Sequence, residues 1–592
     1  MTIETKPPPP WISATRIIVL ASPALTIFIL IFVYGVNVPF ADQWDEVPPL
    51  IEKMHKGTLG LSDFFAQHNE HRLFFPRLIM LGLALLTRWN IKVELFTSWV
   101  LACICAYNLW RMSRVTGFSG SNTGFWSLFA ANVLLFTPLQ SENWLWGFQI
   151  GFFLPVAALT SLLWMVPSSR TSVAFPAAIV FSIIGNFSIA SGFIFWLLAL
   201  LLLLLPHGRF DWQSRKSWLI LFFLIFIGAQ ILYLRNYQKP AHHPDLLMAI
   251  RQLREAMDYI LAYFGSAFAL GTAFSPINVA MMVGASLVIL FGICVTYVLS
   301  CRKDHILVER SLPWIALCLF SISTNILTTI GRMGFGTTQA LSSRYVIFSA
   351  LMPIGLLFLM HLVYSHWRER TTSGQYLTPV RTGIISVTAI LGTLLMLSSL
   401  ASLRTWAGTR RDRIYGKAVI ELINVIDDSP DFCKYVYPAA IRKETCNEMA
   451  RLGYLHPRLM KTRLIREIAK PTPLGESASG YFDELTQSRD GYFTASGWSV
   501  LPERKEAAVA TLLTYDDDHG QANIFAMAME NTTRPDVVRT LNTQGYSDSG
   551  WSCTVETKVL PPGRRTIRAW AFDPEACRAY ELSGTKLIAT NL

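Results

Sequence analysis

The chain has 592 residues, of which 52% are hydrophobic and only 15% charged, with a formal net charge of +11. A water-soluble chain of this length carries about a quarter charged residues, so the composition excludes an ordinary soluble globular protein. The basic balance does not point to nucleic acid either, because no basic stripe or nucleic-acid motif accompanies it; Lys and Arg in short loops are what orients a multispan membrane protein.

The polar, proline-rich lead-in 1–16 (MTIETKPPPPWISATR) is expected as a cytoplasmic tail. The apolar run that follows is too long for a signal-peptide core, and no small-residue cleavage site comes after it. Apolar blocks of the length that crosses ~30 Å of hydrocarbon predict spans at 17–37, 93–110, 123–138, 148–166, 173–187, 191–206, 217–234, 277–300, 312–330, 345–364 and 382–402. With the N-terminus inside, the connections RMSRVTG (111–117), the turn at Arg170, HGRFDWQSRK (207–216), CRKDHILVER (301–310) and HWRER (366–370) are cytoplasmic and basic. The turns QSENWLWG and GNFSIASG carry no Lys or Arg and fall outside. Residues 73–87 and 256–274 are expected to lie in the outer interface or to enter partway, since a full crossing by either would move basic turns to the outer face. The odd number of spans then puts everything after about residue 403 outside the cytoplasm.

Residues 403–477 read as a helical connector, and 478–592 as a small antiparallel β-sandwich built on GYFTASGWSV, AAVATLLTY, ANIFAMAME, SCTVETKVL and RTIRAWAF. Ser-Gly-Trp-Ser occurs at 496–499 and again at 549–552, which hints at equivalent strand ends. Four cysteines of the outer region, Cys433, Cys446, Cys553 and Cys577, suit an oxidising compartment, with 433–446 and 553–577 as the local pairings. The five others lie in or beside spans and read as packing residues.

Polar residues concentrate in the connections expected outside. The loop 38–92 opens with PFADQWDE, which brings Asp42, Asp45 and Glu46 to the end of the first span, and continues to QHNEHR, with His68, Glu70, His71 and Arg72. On a helix His68, His71 and Arg72 would share one face. Two such clusters beside the bilayer suggest a polar cleft floored by the membrane. Glu142, at the mouth of a span and without an evident partner, and Trp144 extend it, although tryptophans also populate interfacial belts. Arg332 and Arg344 flank the Gly-rich GRMGFGTTQALSSRY, where positive-inside bias does not account for them. A pair of guanidiniums there can seat a phosphate by bidentate charge-assisted hydrogen bonds, the alternative being headgroup anchoring.

In layout, residues 10–400 resemble the GT-C superfamily of integral-membrane glycosyltransferases. The resemblance rests on ADQWDE after the first span, the 73–87 segment, NIKVELFTSWVLACICAYNLWRMSRVTG ending in a basic turn, and SENWLWG in the next outer turn. It implies a polyprenyl-phosphate-linked sugar as donor, a cell-surface glycan or lipid as acceptor, and a bacterial inner-membrane location with a soluble C-terminal domain outside. It also implies inversion at the anomeric carbon. Asp45-Glu46 matches the usual adjacent acidic pair, while Asp42 stands where other members place their essential aspartate; HNEHR is not a general family feature. In this scheme Asp42, or else Asp45 or Glu46, takes the acceptor proton, and Arg332 and Arg344 stabilise the departing phosphate. No cofactor is assigned, and metal dependence stays open: Asp42, Asp45, Glu46, His68 and His71 could bind a divalent metal ion. The competing functions are a transporter or flippase, a polymerase or ligase for lipid-linked glycans, and a glycan-binding scaffold. Span interiors almost free of charge disfavour transport.

Overall fold

A computed structural model describes the chain except for residues 1–9, 205–211, 241–243, 246, 372–376, 427–433, 437–442, 472–478, 490 and 591–592. The chain divides into two compact units. Met1–Gly35, Leu50–Gly82 and Lys92–Ala407 make the first; Val36–Pro49, Leu83–Ile91 and Gly408–Leu592 make the second. The acidic segment PFADQWDE therefore belongs to the C-terminal unit, whereas QHNEHR belongs to the helical one.

Among the described residues, eight helices are long and apolar enough to cross a membrane: Ala14–Tyr34, Ile91–Phe118, Gly147–Ser168, Lys216–Leu234, Pro276–Ser300, His305–Phe335, Ser343–Arg370 and Pro379–Glu421. Their outer surfaces are apolar, as at Leu224, Ile227 and Ile231, and side chains of this kind at this density need a non-aqueous partner. The helices suggest a multi-pass membrane protein. Two expected spans form helices that are short for a crossing. Asn122–Leu135 has 14 residues and Thr171–Asn186 has 16, giving about 21 and 24 Å at 1.5 Å per residue, short of a ~30 Å hydrocarbon core. The stretch 191–206 begins as a 3-10 turn, Ala190–Phe193, and continues as the helix Ile194–Leu204 to the edge of the described residues. The two ambiguous segments form the short helices Phe74–Thr87 and Leu253–Gly265, of 14 and 13 residues.

Local chemistry sets several helix ends. The Asp304 carboxylate accepts the Leu307 N–H at 3.1 Å and caps His305–Arg332, and Ser121 Oγ accepts from the Gly124 N–H at 2.9 Å. Leu253–Gly265 packs closely on Pro276–Ser300 through Gly265 and Gly284, where a Cβ on either would collide with the other helix's backbone. QHNEHR is not helical. Gln67–His68 (β1) and His71–Arg72 (β2) pair antiparallel, with His68 opposite His71. Asn69 makes the turn at φ +48°, a left-handed conformation that Asn tolerates.

The helix Leu377–Glu421, whose residues from Gly408 onward belong to the C-terminal unit, runs 45 residues without a break at the expected boundary of 403. The strands β3 (Ala469–Lys470), β4 (Gly480–Arg489), β5 (Tyr492–Leu501), β6 (Glu506–Ala507), β7 (Ala510–Asp516), β8 (Ala522–Thr532), β9 (Gly550–Glu556), β10 (Gly563–Asp573), β11 (Arg578–Glu581) and β12 (Lys586–Thr590) follow. All five stretches expected as strands fall on this sheet. The expected two-sheet sandwich does not form. One ten-stranded sheet runs β3-β11-β10-β7-β8-β9-β5-β4, with β12 also on β10 and β6 on β5. Register shifts on both edges of β8 let the sheet curl. Its far edge returns to Ser583 just beyond β11, through Phe482 N–H to Ser583 O at 2.9 Å and Ser583 N–H to Gly480 O at 3.1 Å. Phe482, Phe493, Leu513, Phe525, Trp551 and Ile567 fill the larger core, and Val500, Val537 and Tyr546 form a smaller cluster. The two Ser-Gly-Trp-Ser phrases pair with each other: Gly497 lies opposite Trp551, and a Cβ there would stand 2.8 Å from the indole.

The Cys553–Cys577 disulfide is not formed. Cys553 is on β9 and Cys577 follows β10, and β7 and β8 intervene between those strands, a separation of about three strand spacings of ~4.8 Å against the under 7 Å that a bridge tolerates. In the other expected pairing, Cys433 lies outside the described residues, and Cys446 is buried.

Candidate functional site

In the helical unit the β1–β2 hairpin is pinned by the chain leaving the helix Trp212–Leu234. The buried Arg72 guanidinium donates to three backbone carbonyls, of Phe65 at 2.8 Å, Tyr233 at 3.2 Å and Arg235 at 2.6 Å. Burial pulls its pKa below the ordinary value, and the three acceptors compensate the charge it keeps. Arg72, expected to contact substrate, is a structural clamp. Arg77 works similarly, donating to the carbonyls of Phe64 and Ala66, which explains an arginine inside an apolar helix. Tyr233 Oη donates to the Glu70 carbonyl at 2.6 Å, and Gln67 exchanges hydrogen bonds with the Gln238 backbone.

With the hairpin fixed, Glu70 reaches Arg332: Nη2 donates to Oε1 at 2.7 Å. His71 Nε2 stands 3.5 Å from the same oxygen. His71 Nδ1 accepts the Ala190 N–H at 2.9 Å, so a neutral ring carries its proton on Nε2 and turns it toward Glu70. Tyr237 beside them has a phenol raised by burial and by the Glu70 charge. His68 packs its ring 5.3 Å from that of Phe148.

A second carboxylate–guanidinium pair joins SENWLWG to the SRY turn. Glu142 Oε1 accepts from Arg344 Nη1 at 3.2 Å, and Oε2 from Ser343 Oγ at 2.9 Å and the Arg344 N–H at 3.1 Å. Glu142 is thus multiply partnered, contrary to expectation. Arg332 and Arg344, expected as an open phosphate seat, each face a carboxylate, although the Arg344 side chain keeps 30% of its surface. Tyr259 lies within electrostatic range of both arginines. Trp144 is no surface residue: it is fully buried, donates Nε1–H to the Thr137 carbonyl at 3.1 Å and packs against Phe136 and Phe153.

In the C-terminal unit the acidic segment begins the helix Gln43–His55. Ala41 takes φ +46° and donates its N–H to the Val436 carbonyl at 2.8 Å. Trp44 donates to Pro39 O at 3.3 Å and meets Trp89 edge-on at 5.4 Å, while Arg413 covers the Phe40 ring. Asp42 immediately precedes the helix, where Asp is a favoured cap, and Asp45 and Glu46 lie in its first turn, where the helix dipole favours negative charge. Burial separates the three: Glu46 is 2% exposed, Asp42 half-buried and Asp45 exposed. Asp42 and Asp45 thus keep solvent-accessible surface that Glu46 lacks.

Within the helical unit lies an apolar cavity of about 550 Å³, walled by Phe129, Phe136, Pro138, Phe268, Leu356 and Leu391 among others. Pro138 stands four residues before Glu142. Two features of this unit escaped sequence reasoning. Tyr259 and Tyr263 are one helical turn apart on the short helix Leu253–Gly265, and both are buried; their i, i+4 spacing was the available signal. Gln149 is buried, with neither polar side-chain atom hydrogen-bonded among the described residues, which marks it for a polar partner. Among the described residues no group of three His, Cys, Asp or Glu side chains could hold a metal ion. No protein-family model, curated protein or solved structure matches the chain.

Proposed function

We propose that the chain is an integral-membrane glycosyltransferase of GT-C type. It moves a sugar from a polyprenyl-phosphate donor to a cell-surface glycan or lipid on the outer face of a bacterial inner membrane, with 403–592 outside the cytoplasm. The observation that carries this reading is the large apolar cavity among the helices, whose wall at Phe136 and Pro138 leads within four residues to Glu142 and its partner Arg344. A cavity of this size and character suits an isoprenoid chain, and a partly exposed guanidinium near its wall suits the phosphate at the chain's head.

In the proposed reaction an acceptor hydroxyl attacks the anomeric carbon. The bond from that carbon to the phosphate oxygen breaks, and polyprenyl phosphate leaves with the electron pair. The acceptor proton passes to Asp42, with Asp45 as second candidate; the burial of Glu46 argues against it as base. Arg344 offsets the charge that develops on the leaving phosphate. Arg332, held by Glu70, positions the hairpin. The test is a surface-glycan profile by mass spectrometry of a strain lacking the gene, complemented with the wild type or with Asp42→Asn. Loss of one defined sugar, restored only by the wild type, is expected; an unchanged glycan in the deletion would contradict the proposal. A polymerase or ligase would instead show as a shift in chain length or attachment with the sugar composition preserved.

A further inference from the structure

A second cavity of the helical unit, about 260 Å³, is lined by Arg16 and Ile17 of the first helix, Trp110 and Arg114 at the end of Ile91–Ser113, and Phe125 and Leu128 of Asn122–Leu135. Its two arginines come from segments far apart in sequence, yet both belong to stretches expected at the cytoplasmic face. Their partners are neutral. Arg16 donates through Nη2 to Asn122 Oδ1 at 2.7 Å and lies 5.4 Å from the Phe125 ring centre, while Arg114 lies 5.1 Å from that of Trp110. Two further guanidiniums stand nearby. Arg310 packs on Gly117, where a Cβ would come within 3.2 Å of its Cζ, and Arg111 covers Trp164 at 4.4 Å. Among the described residues none of the four forms an ion pair with a carboxylate. This contrasts with Arg332 and Arg344, each of which has one.

Guanidiniums gathered without a counter-charge make a positive field, and each keeps donor N–H groups for a further acceptor. Ser113, Ser119 and Ser121 also line it, Ile17, Leu20, Phe118 and Leu128 are its aliphatic and aromatic wall, and Ile17 opens outward from it. We infer that this cavity binds an anionic glycerophospholipid, with the phosphate between Arg16 and Arg114 and an acyl chain along Ile17, Leu20 and Leu128. Basic pockets between membrane helices on the cytoplasmic side take such headgroups. The aromatic faces of Trp110 and Phe125 hold the two guanidiniums in place without consuming their hydrogen-bonding edges. The inference rests on the helices lying in lipid and is independent of glycosyl transfer.

The test is native mass spectrometry of the full-length protein in detergent, with dioleoylphosphatidylglycerol or dioleoylphosphatidylcholine added. Retention of one phosphatidylglycerol about tenfold more strongly than phosphatidylcholine is expected, because the choline ammonium offsets the charge of the phosphate that the two lipids share. Arg16→Gln with Arg114→Gln should abolish the preference. Asn122→Asp should weaken it with both arginines kept, by placing a carboxylate on Arg16. Arg170→Gln, a basic residue of another turn, should leave it unchanged. Thermal unfolding of each variant checks its fold, and the Asn122→Asp result stands even if the double variant does not fold. Equal retention of the two lipids, an unchanged preference in Asn122→Asp, or an equal loss in Arg170→Gln would overturn the inference. Binding of inorganic phosphate with exclusion of the lipid would make the pocket a soluble-anion site and overturn it too.

Discussion

The loop 38–92 contains two polar clusters that look alike in sequence and differ in what their charges do. In QHNEHR the Arg72 guanidinium is spent on three carbonyls, Glu70 on Arg332, and His71 on Ala190 and Glu70. In PFADQWDE, Asp42 and Asp45 stand at the start of a helix with surface open to solvent. A polar side chain buried among its partners stabilises the fold, whereas one that keeps solvent-accessible surface at a helix start can also be reached by a reactant. Substitutions in the hairpin should therefore cost stability, and substitutions in the acidic segment should cost activity.

The largest stability effect is expected from Arg72→Ala, which strips the donor from three carbonyls at once. With hydrogen bonds to a charged group contributing about 1.5–3 kcal/mol each, a loss of roughly 3 kcal/mol or more follows. Thermal unfolding in detergent would show it, and an unchanged midpoint would mean that the hairpin is held otherwise. Next comes Glu70→Gln. It leaves Arg332 without its carboxylate and should cost about 1–3 kcal/mol, less than a fully buried pair because both side chains keep some exposure. Adding Arg332→Gln should recover part of that loss, and strict additivity in the double-mutant cycle would break the assignment. Asp42→Ala should cost about 1 kcal/mol as a lost helix cap, and Asp42→Asn almost nothing, since Asn caps as well as Asp. A large destabilisation by Asp42→Asn would move Asp42 into the structural class.

The smallest effect is placed in the sheet unit as a reference. Asp536 is bound by Arg534, whose hydrogen bonds lower its carboxyl to about 2 from the ordinary 3.8. A depressed carboxyl contributes stability that is present above its unfolded pKa and is lost as pH falls through the folded one. Asp536→Asn should therefore lower stability slightly at neutral pH and make no difference once the pH has fallen through about 2. The pair is exposed, so the expected size is a few tenths of a kcal/mol after solvent screening. Thermal unfolding of both proteins across that range checks the direction.

Much of the fold was legible because it follows local rules. Long apolar runs gave the eight long helices, and period-two alternation, as in TASGWSV, gave five strands. The lengths of the shorter helices were less legible because an apolar run does not mark where a helix stops, and Asn122–Leu135 ends ahead of Thr137-Pro138. The rolled sheet was hidden because closure depends on bulges in β8 and on Ser583, neither of which has a period. The candidate site was legible only as residue types. Glu142 seemed solitary because Arg344 is 202 positions away, and Arg332 seemed open because Glu70 is 262 away. The hairpin was misjudged because strands of two residues leave no alternation to see.

The central claim is that Asp42 takes a proton during transfer of a sugar from a polyprenyl-phosphate donor. Single-turnover transfer in nanodiscs, for the wild type and for Asp42→Asn, Asp45→Asn and Glu46→Gln, tests it most directly, with insertion and unfolding checked for each. The account predicts that Asp42→Asn folds and inserts like the wild type while its rate falls by about a hundred- to ten-thousandfold, the range typical of a lost general base. Asp45→Asn should fall less, and Glu46→Gln should show its effect mainly in stability. Normal turnover by Asp42→Asn with loss in Asp45→Asn would move the base three residues along the helix, and full activity in all three variants would contradict the account.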